Sequence, residues 1–199
     1  MYRMDFHFHL ILFISFWFFL ILSGIQPYDT FTWWLEVSPA IVVVSCLVIT
    51  YKYFQFSNII YIFIWIHMMI LLIGGHYTYA EEPLFNWLRD TLKLERNYYD
   101  RLGHFVQGFV PALITQEVLC RIVKIKQKGW IFFLVLSVCL GFSAFYELLE
   151  FLVAMCTRNS ADAFLGTQGD VWDTQWDMLC ALIGAIIALF IIPFLRERT

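Results

Sequence analysis

The residues able to do chemistry in this 199-residue chain are acids and histidines spaced by helical turns. Asp100 and His104 stand four apart. Ser143, Glu147 and Glu150 fall at i, i+4 and i+7, and Asp170, Asp173 and Asp177 at i, i+3 and i+7. On a helix these intervals put each set on one side. Carboxylates grouped with a histidine suit a divalent cation: oxygen ligands favour Mg²⁺, Ca²⁺ or Mn²⁺, and His76 with His104 admits Zn²⁺. Asp100, His104, Glu147, Glu150, Asp173 and Asp177 are then the candidate metal ligands, and His104, Glu147 and Asp177 the candidate catalytic groups. Carboxylates packed together also make a group able to exchange protons near neutral pH. The chain has neither a Gly-rich phosphate loop nor an HExxH motif, so the pattern names no reaction.

The elements that must carry these residues are membrane helices. The chain is 61% hydrophobic, 20% aromatic and 15% charged, whereas a soluble domain is about half apolar and about a quarter charged. A cytosolic enzyme and a disordered chain are both excluded, since 21 Phe and 8 Trp supply ample apolar surface. No basic tract points to nucleic acid. Long apolar runs with polar flanks predict about six spans, near residues 9–25, 37–53, 57–74, 101–120, 130–155 and 174–194. At roughly 20 residues per span these take up most of the chain, which implies an all-α, polytopic, single integral membrane domain over 1–199. The first run is long and aromatic with a poor cleavage site, and reads as a retained anchor. Pro83 predicts a short interfacial helix between the third and fourth spans, and Gly166 and Gly169 punctuate a loop over 157–173 that is able to re-enter the protein. Five scattered cysteines without a CxxC pair read as packing residues.

Basic residues set the orientation. With both termini cytoplasmic, the inside holds Arg3, Lys52, Arg121, Lys124, Lys126, Lys128, Arg196 and Arg198, eight of the 13 Lys and Arg, while of 16 carboxylates only Asp5, Glu117 and Glu197 fall there. Alternating spans then bring His76, Asp100, His104, Glu147, Glu150, Asp170, Asp173 and Asp177 to the same outer level. Small residues continue each stripe: Gly108 and Pro111 below His104, Ala144 beside Glu147, Ala181 and Gly184 below Asp177. Small residues let membrane helices approach closely, so the last three spans are predicted to enclose a polar pocket.

A plainer reading competes with this one. Asp100 and Asp173 start helices, where the dipole and free N–H groups favour carboxylates without any ligand. Glu147 is different: Phe151 to Met155 continues the apolar run beyond it, placing it about 12 Å inside the helix end. An ionisable group at that depth needs a cavity or a partner, and Arg101 or Arg158 is an available one. His67 reads as a core histidine, and Glu117 as an ion pair with Arg121 at i+4.

The strings GGHYTYAEEP (74–83), RNYYDRLGHFVQGFVPALITQE (96–117), SAFYELLEF (143–151) and AFLGTQGDVWDTQWDMLCALIGA (163–185) closely resemble the YjdF-like family of bacterial inner-membrane proteins. The resemblance spans most of residues 70–190 and implies a multi-pass protein of the bacterial inner membrane. The order of acids and histidine also resembles VanZ-like membrane proteins, with Asp100 and His104, then Glu147 or Glu150, then Asp173 and Asp177 at matching places. Cys180-Ala181 stands where that pattern has an Asn.

Three functions fit these residues. One is an enzyme acting on a lipid or lipid-linked substrate at the outer leaflet with a divalent cation. Another is a small transporter whose acidic mouth attracts a cation while Glu147 or Glu150 carries a proton, with Pro111 as a bend; no inverted repeat accompanies it. The third is a non-catalytic envelope protein with a structural polar network.

Overall fold

The computed structural model describes residues 6–157 and 167–196. Among them are seven helices and no strand: α1 (Phe6–Ser23), α2 (Thr30–Thr50), α3 (Asn58–Tyr77), α4 (Pro83–Leu92), α5 (Tyr99–Arg121), α6 (Lys128–Thr157) and α7 (Asp173–Arg196). Among the described residues α1, α2, α3, α6 and α7 are long and apolar enough to cross a membrane. The predicted fourth span corresponds to α5, whose 23 residues suffice in length but include Asp100, Arg101, Glu117 and Arg121. Large apolar side chains lie bare along these helices, among them Ile21, Ile49, Phe133, Phe145, Leu148 and Phe190. Apolar exposure on that scale is intolerable in water and ordinary against lipid tails.

The chain falls into two compact units, one up to Asp100 with Gln168, the other from Arg101 with Gly169 onward. In the first, α3 packs on both α1 and α2 around Phe16, Val37, Ala40, Ile64, Met68 and Leu72. The indoles fix the register: Trp65 Nε1 donates to Ser15 Oγ at 2.9 Å and Trp33 Nε1 to Ser23 Oγ at 3.1 Å. α2 starts seven residues before the predicted span because Asp29 caps it, accepting from Thr32 N at 2.7 Å. Pro39 sits within α2 without ending it. α3 stops where Thr78 and Tyr79 both turn left-handed, with φ of 58° and 53°. α4 has the predicted Pro83 at its first turn and the Glu82 carboxylate accepting from Phe85 N at 2.7 Å.

Asn97, fully buried, anchors the chain entering α5. Its amide donates to the Glu82 carbonyl at 3.0 Å and to Asn86 Oδ1 at 2.9 Å, and its Oδ1 accepts from Tyr99 N at 2.9 Å. The Gln168 side chain pairs with the Asn97 backbone on both sides, at 2.9 Å each. Asn97→Ala strands several of these groups, each worth about 1–3 kcal/mol when buried and unsatisfied. The variant is expected to unfold at lower temperature than the parent in detergent and to be cut faster by protease after α4.

In the second unit α6 packs against α7, with Val135, Cys139, Ala181, Ala185 and Ala188 fully enclosed. Gly108 of α5 lies against the backbone of Ala181 so closely that a Cβ there would overlap it, and Gly184 of α7 meets the Phe105 carbonyl in the same way. The small-residue stripes expected below His104 and Asp177 are therefore the surfaces on which α5 and α7 meet. All five cysteines are free thiols.

Candidate functional site

The polar cluster of the second unit is built by three helices. α7 begins with Asp173 and carries Asp177 one turn on. α5 supplies Arg101 and His104 from its first turns, and α6 supplies Glu147 ten residues before its end at Thr157. Arg101 is the hub. Its guanidinium bonds Asp177, reaches Asp173 at 2.5 Å and Asp170 at 3.3 Å, and is itself buried to a side-chain exposure of 10%. A planar, permanently charged fork is the side chain suited to holding several carboxylates at once. Sequence offered Arg101 as a partner for Glu147; the bonds its guanidinium makes here are to Asp177, Asp173 and Asp170. Arg158, the other candidate partner, lies outside the described residues, as does Gly166.

His104 stands between two carboxylates. Its Nδ1 is 3.8 Å from Glu147 Oε1 and its Nε2 is 3.7 Å from Asp177 Oδ1. Both separations exceed a direct hydrogen bond of roughly 2.7–3.2 Å. The separation between Nε2 and Asp177 is one that two ligands of a single ion take, at about 2.0–2.6 Å from a metal each. His104, Glu147 and Asp177 are 5%, 8% and 2% exposed, so a charge change at any of them takes place out of bulk water. Tyr146 sets its ring edge-on to the imidazole at 6.4 Å. One turn below Glu147, Ser143 is fully buried and its Oγ has no hydrogen-bond partner.

The remaining sequence candidates are placed as follows. Glu150 lies half-buried on the turn after Glu147. Asp100 closes the first unit, 3.8 Å from Arg96. His76 also belongs to the first unit and serves its loops: Nδ1 donates to the Ser23 carbonyl at 2.8 Å, and its own carbonyl accepts from Tyr28 N at 2.9 Å. His67 is buried within α3, and Glu117 forms the expected ion pair with Arg121. Asn97 and Gln168 were not singled out by sequence; a polar pair 71 residues apart carries no local signal.

Bare apolar helices around a buried ionic cluster define an integral membrane protein. The chain matches the family of predicted membrane proteins DUF2238 over residues 8–198 and belongs to it. It is 47% identical over 167 residues, 84% of this chain and 80% of the relative, to inner membrane protein YjdF of Escherichia coli (strain K12). The resemblance drawn from the strings at 74–83, 96–117, 143–151 and 163–185 is thereby borne out, and the chain is a multi-pass protein of the bacterial inner membrane. No solved structure matches it.

Proposed function

We propose that this protein is a six-span, single-domain inner-membrane protein with both termini cytoplasmic, and that the α5–α7 cluster is a divalent-cation site near the periplasmic side serving a lipid or envelope-linked substrate. α5 is the sixth span, its polar face turned to its neighbours. The observation that carries the reading is His104, with a different carboxylate facing each ring nitrogen. A single ion reaches only one side of an imidazole. His104 Nε2 and Asp177 would hold the cation, leaving Nδ1 on the side of Glu147, the carboxylate–histidine–metal order common in metal sites. Asp173 and Asp170 share Arg101 with Asp177, so the guanidinium balances part of the carboxylate charge and positions Asp177. When bound, the cation would supply a Lewis acid at the outer leaflet. His104 and Asp177 would hold it, and Glu147, on the other side of the ring, would orient the imidazole.

The experiment is thermal unfolding of the full chain in detergent with Mn²⁺, Zn²⁺, Mg²⁺ or Ca²⁺. An ion present at about 100 times its dissociation constant adds about 2.7 kcal/mol. Asp177→Asn is expected to abolish the stabilisation. Glu147→Gln, which acts through the imidazole, is expected to weaken apparent affinity by about 10- to 100-fold. Absence of any ion response in the parent protein overturns the proposal.

A second reading is favoured by the same histidine. A ring flanked by two carboxylates is a relay for protons, and Arg101 already fills several carboxylate oxygens. Proton-coupled uptake of a cation into vesicles, abolished in Glu147→Gln, together with no ion-dependent stabilisation, selects this transporter.

A further inference from the structure

The first unit holds a cavity of about 280 Å³ between α1, α2 and α3, whose walls are almost wholly apolar and aromatic, including Leu12, Phe16, Val44, Leu47 and Met68. Its volume is near the lower bound of small-molecule pockets, roughly 300–1,000 Å³. Leu10, Phe13 and Val48 line it and are also exposed at 39%, 37% and 55%. The cavity therefore opens onto the apolar surface that faces lipid.

One end of the cavity is polar. His9 is buried at 7% exposure; its Nε2–H donates to Asn58 Oδ1 at 3.0 Å, so Nδ1 accepts from the Tyr51 hydroxyl at 2.8 Å. Tyr61 tilts against the same imidazole with ring centroids 4.2 Å apart. These residues come from the start of α1, the turn after α2 and the start of α3, which meet at one membrane face. Lys52 follows Tyr51 directly, and in the segments 6–13 and 47–61 it is the one formally charged side chain. Its ammonium is exposed and lies 4.8 Å above the Tyr53 ring.

We propose that this cavity is a binding site for one acyl chain of an anionic phospholipid, with the lipid phosphate at Lys52. The apolar walls, the opening towards the bilayer and the positive charge of Lys52 at the polar end, the one charged side chain there among the described residues, are the complement of such a lipid. The His9–Tyr51–Asn58 bonds satisfy one another at the polar end of the cavity, so that an alkyl chain entering from the side meets no unpaired polar group. The site is independent of the α5–α7 cluster. It gives the first two helices a role in lipid recognition: each buried methylene adds affinity, and the surface charge selects the headgroup.

The test uses the full chain in vesicles of phosphatidylethanolamine and phosphatidylglycerol, with a phosphatidylglycerol carrying a photoreactive diazirine on one acyl chain. Adducts are expected on Leu12, Val44, Leu47 and Met68 in preference to Ile11, Ile21 and Ile49, which face lipid outside the cavity. Adducts spread evenly over both groups overturn the proposal. In native mass spectrometry from detergent supplemented with phosphatidylglycerol, one lipid should remain on the parent protein. Leu12→Trp, which fills the space of two or three methylenes, should lower its retention about 15- to 50-fold. Lys52→Gln should leave one lipid bound but remove the preference for phosphatidylglycerol over phosphatidylcholine. Equal retention in Leu12→Trp, or an unchanged headgroup preference in Lys52→Gln, contradicts the assignment. The adduct map needs no variant and decides the matter if Leu12→Trp does not fold.

Discussion

Arg101→Leu is expected to destabilise the protein by about 3–5 kcal/mol, the cost of leaving one member of a buried ion pair without its counter-charge. Asp177, at 2% side-chain exposure, would lose the guanidinium that bonds it, and Asp173 and Asp170 would lose theirs at 2.5 and 3.3 Å. Three carboxylates would then share one corner of the second unit without the Arg101 guanidinium. Thermal unfolding in detergent, with the folded fraction read by gel filtration, measures the loss. Adding Asp177→Asn to Arg101→Leu should restore part of it, because the neutral amide no longer needs a counter-charge; the double variant should therefore lose less than the two single losses together. Full additivity would mean that Arg101 and Asp177 do not act as a pair.

The other large effect is steric. Gly108→Val is expected to cost about 3 kcal/mol or more, because the first atom of any side chain there overlaps the Ala181 backbone and α5 must move away from α7. Rigid backbone gives way less than a side chain does. Gly184→Val should behave alike, through the Phe105 carbonyl. Gly141→Ala in α6 is the control: a Cβ there meets nothing within 4 Å, and helix propensity predicts a gain of about 0.5–1 kcal/mol. Comparable unfolding temperatures for Gly108→Val and Gly141→Ala would contradict close packing of α5 on α7. Because His104 lies one turn from Gly108 and Asp177 one turn from Ala181, Gly108→Val should also weaken ion binding.

Much of this arrangement was legible from spacing. The intervals that put Glu147 and Ser143 on one side of α6, and Asp173 and Asp177 on one side of α7, depend on the helical period alone, and both pairs are buried as that period requires. Small residues below His104 and Asp177 marked where backbones approach. The start of α2 was not legible from hydropathy, because Asp29 begins the helix through a local hydrogen bond while Trp33, Trp34 and Glu36 blur the apolar run. Arg101 was visible as an available partner, but its reach to three carboxylates depends on which side of α5 faces α7, a tertiary fact. Asp100 and His104 share a face of α5 by spacing; that Arg96 lies 3.8 Å from Asp100, and that His104 stands between Glu147 and Asp177, depends on packing beyond that spacing. The Asn97–Gln168 pair and the lipid-facing cavity are long-range features with no local pattern to betray them.

Pulsed electron paramagnetic resonance of Mn²⁺ bound to the full chain in detergent tests the cation site most directly, because it reads nitrogen at the metal whether or not any reaction is known. The account predicts nitrogen modulation from one imidazole, lost in His104→Gln and kept in Glu147→Gln. Bound Mn²⁺ without nitrogen coupling, or folded protein that neither binds Mn²⁺ nor is stabilised by any of the other three cations, would contradict it.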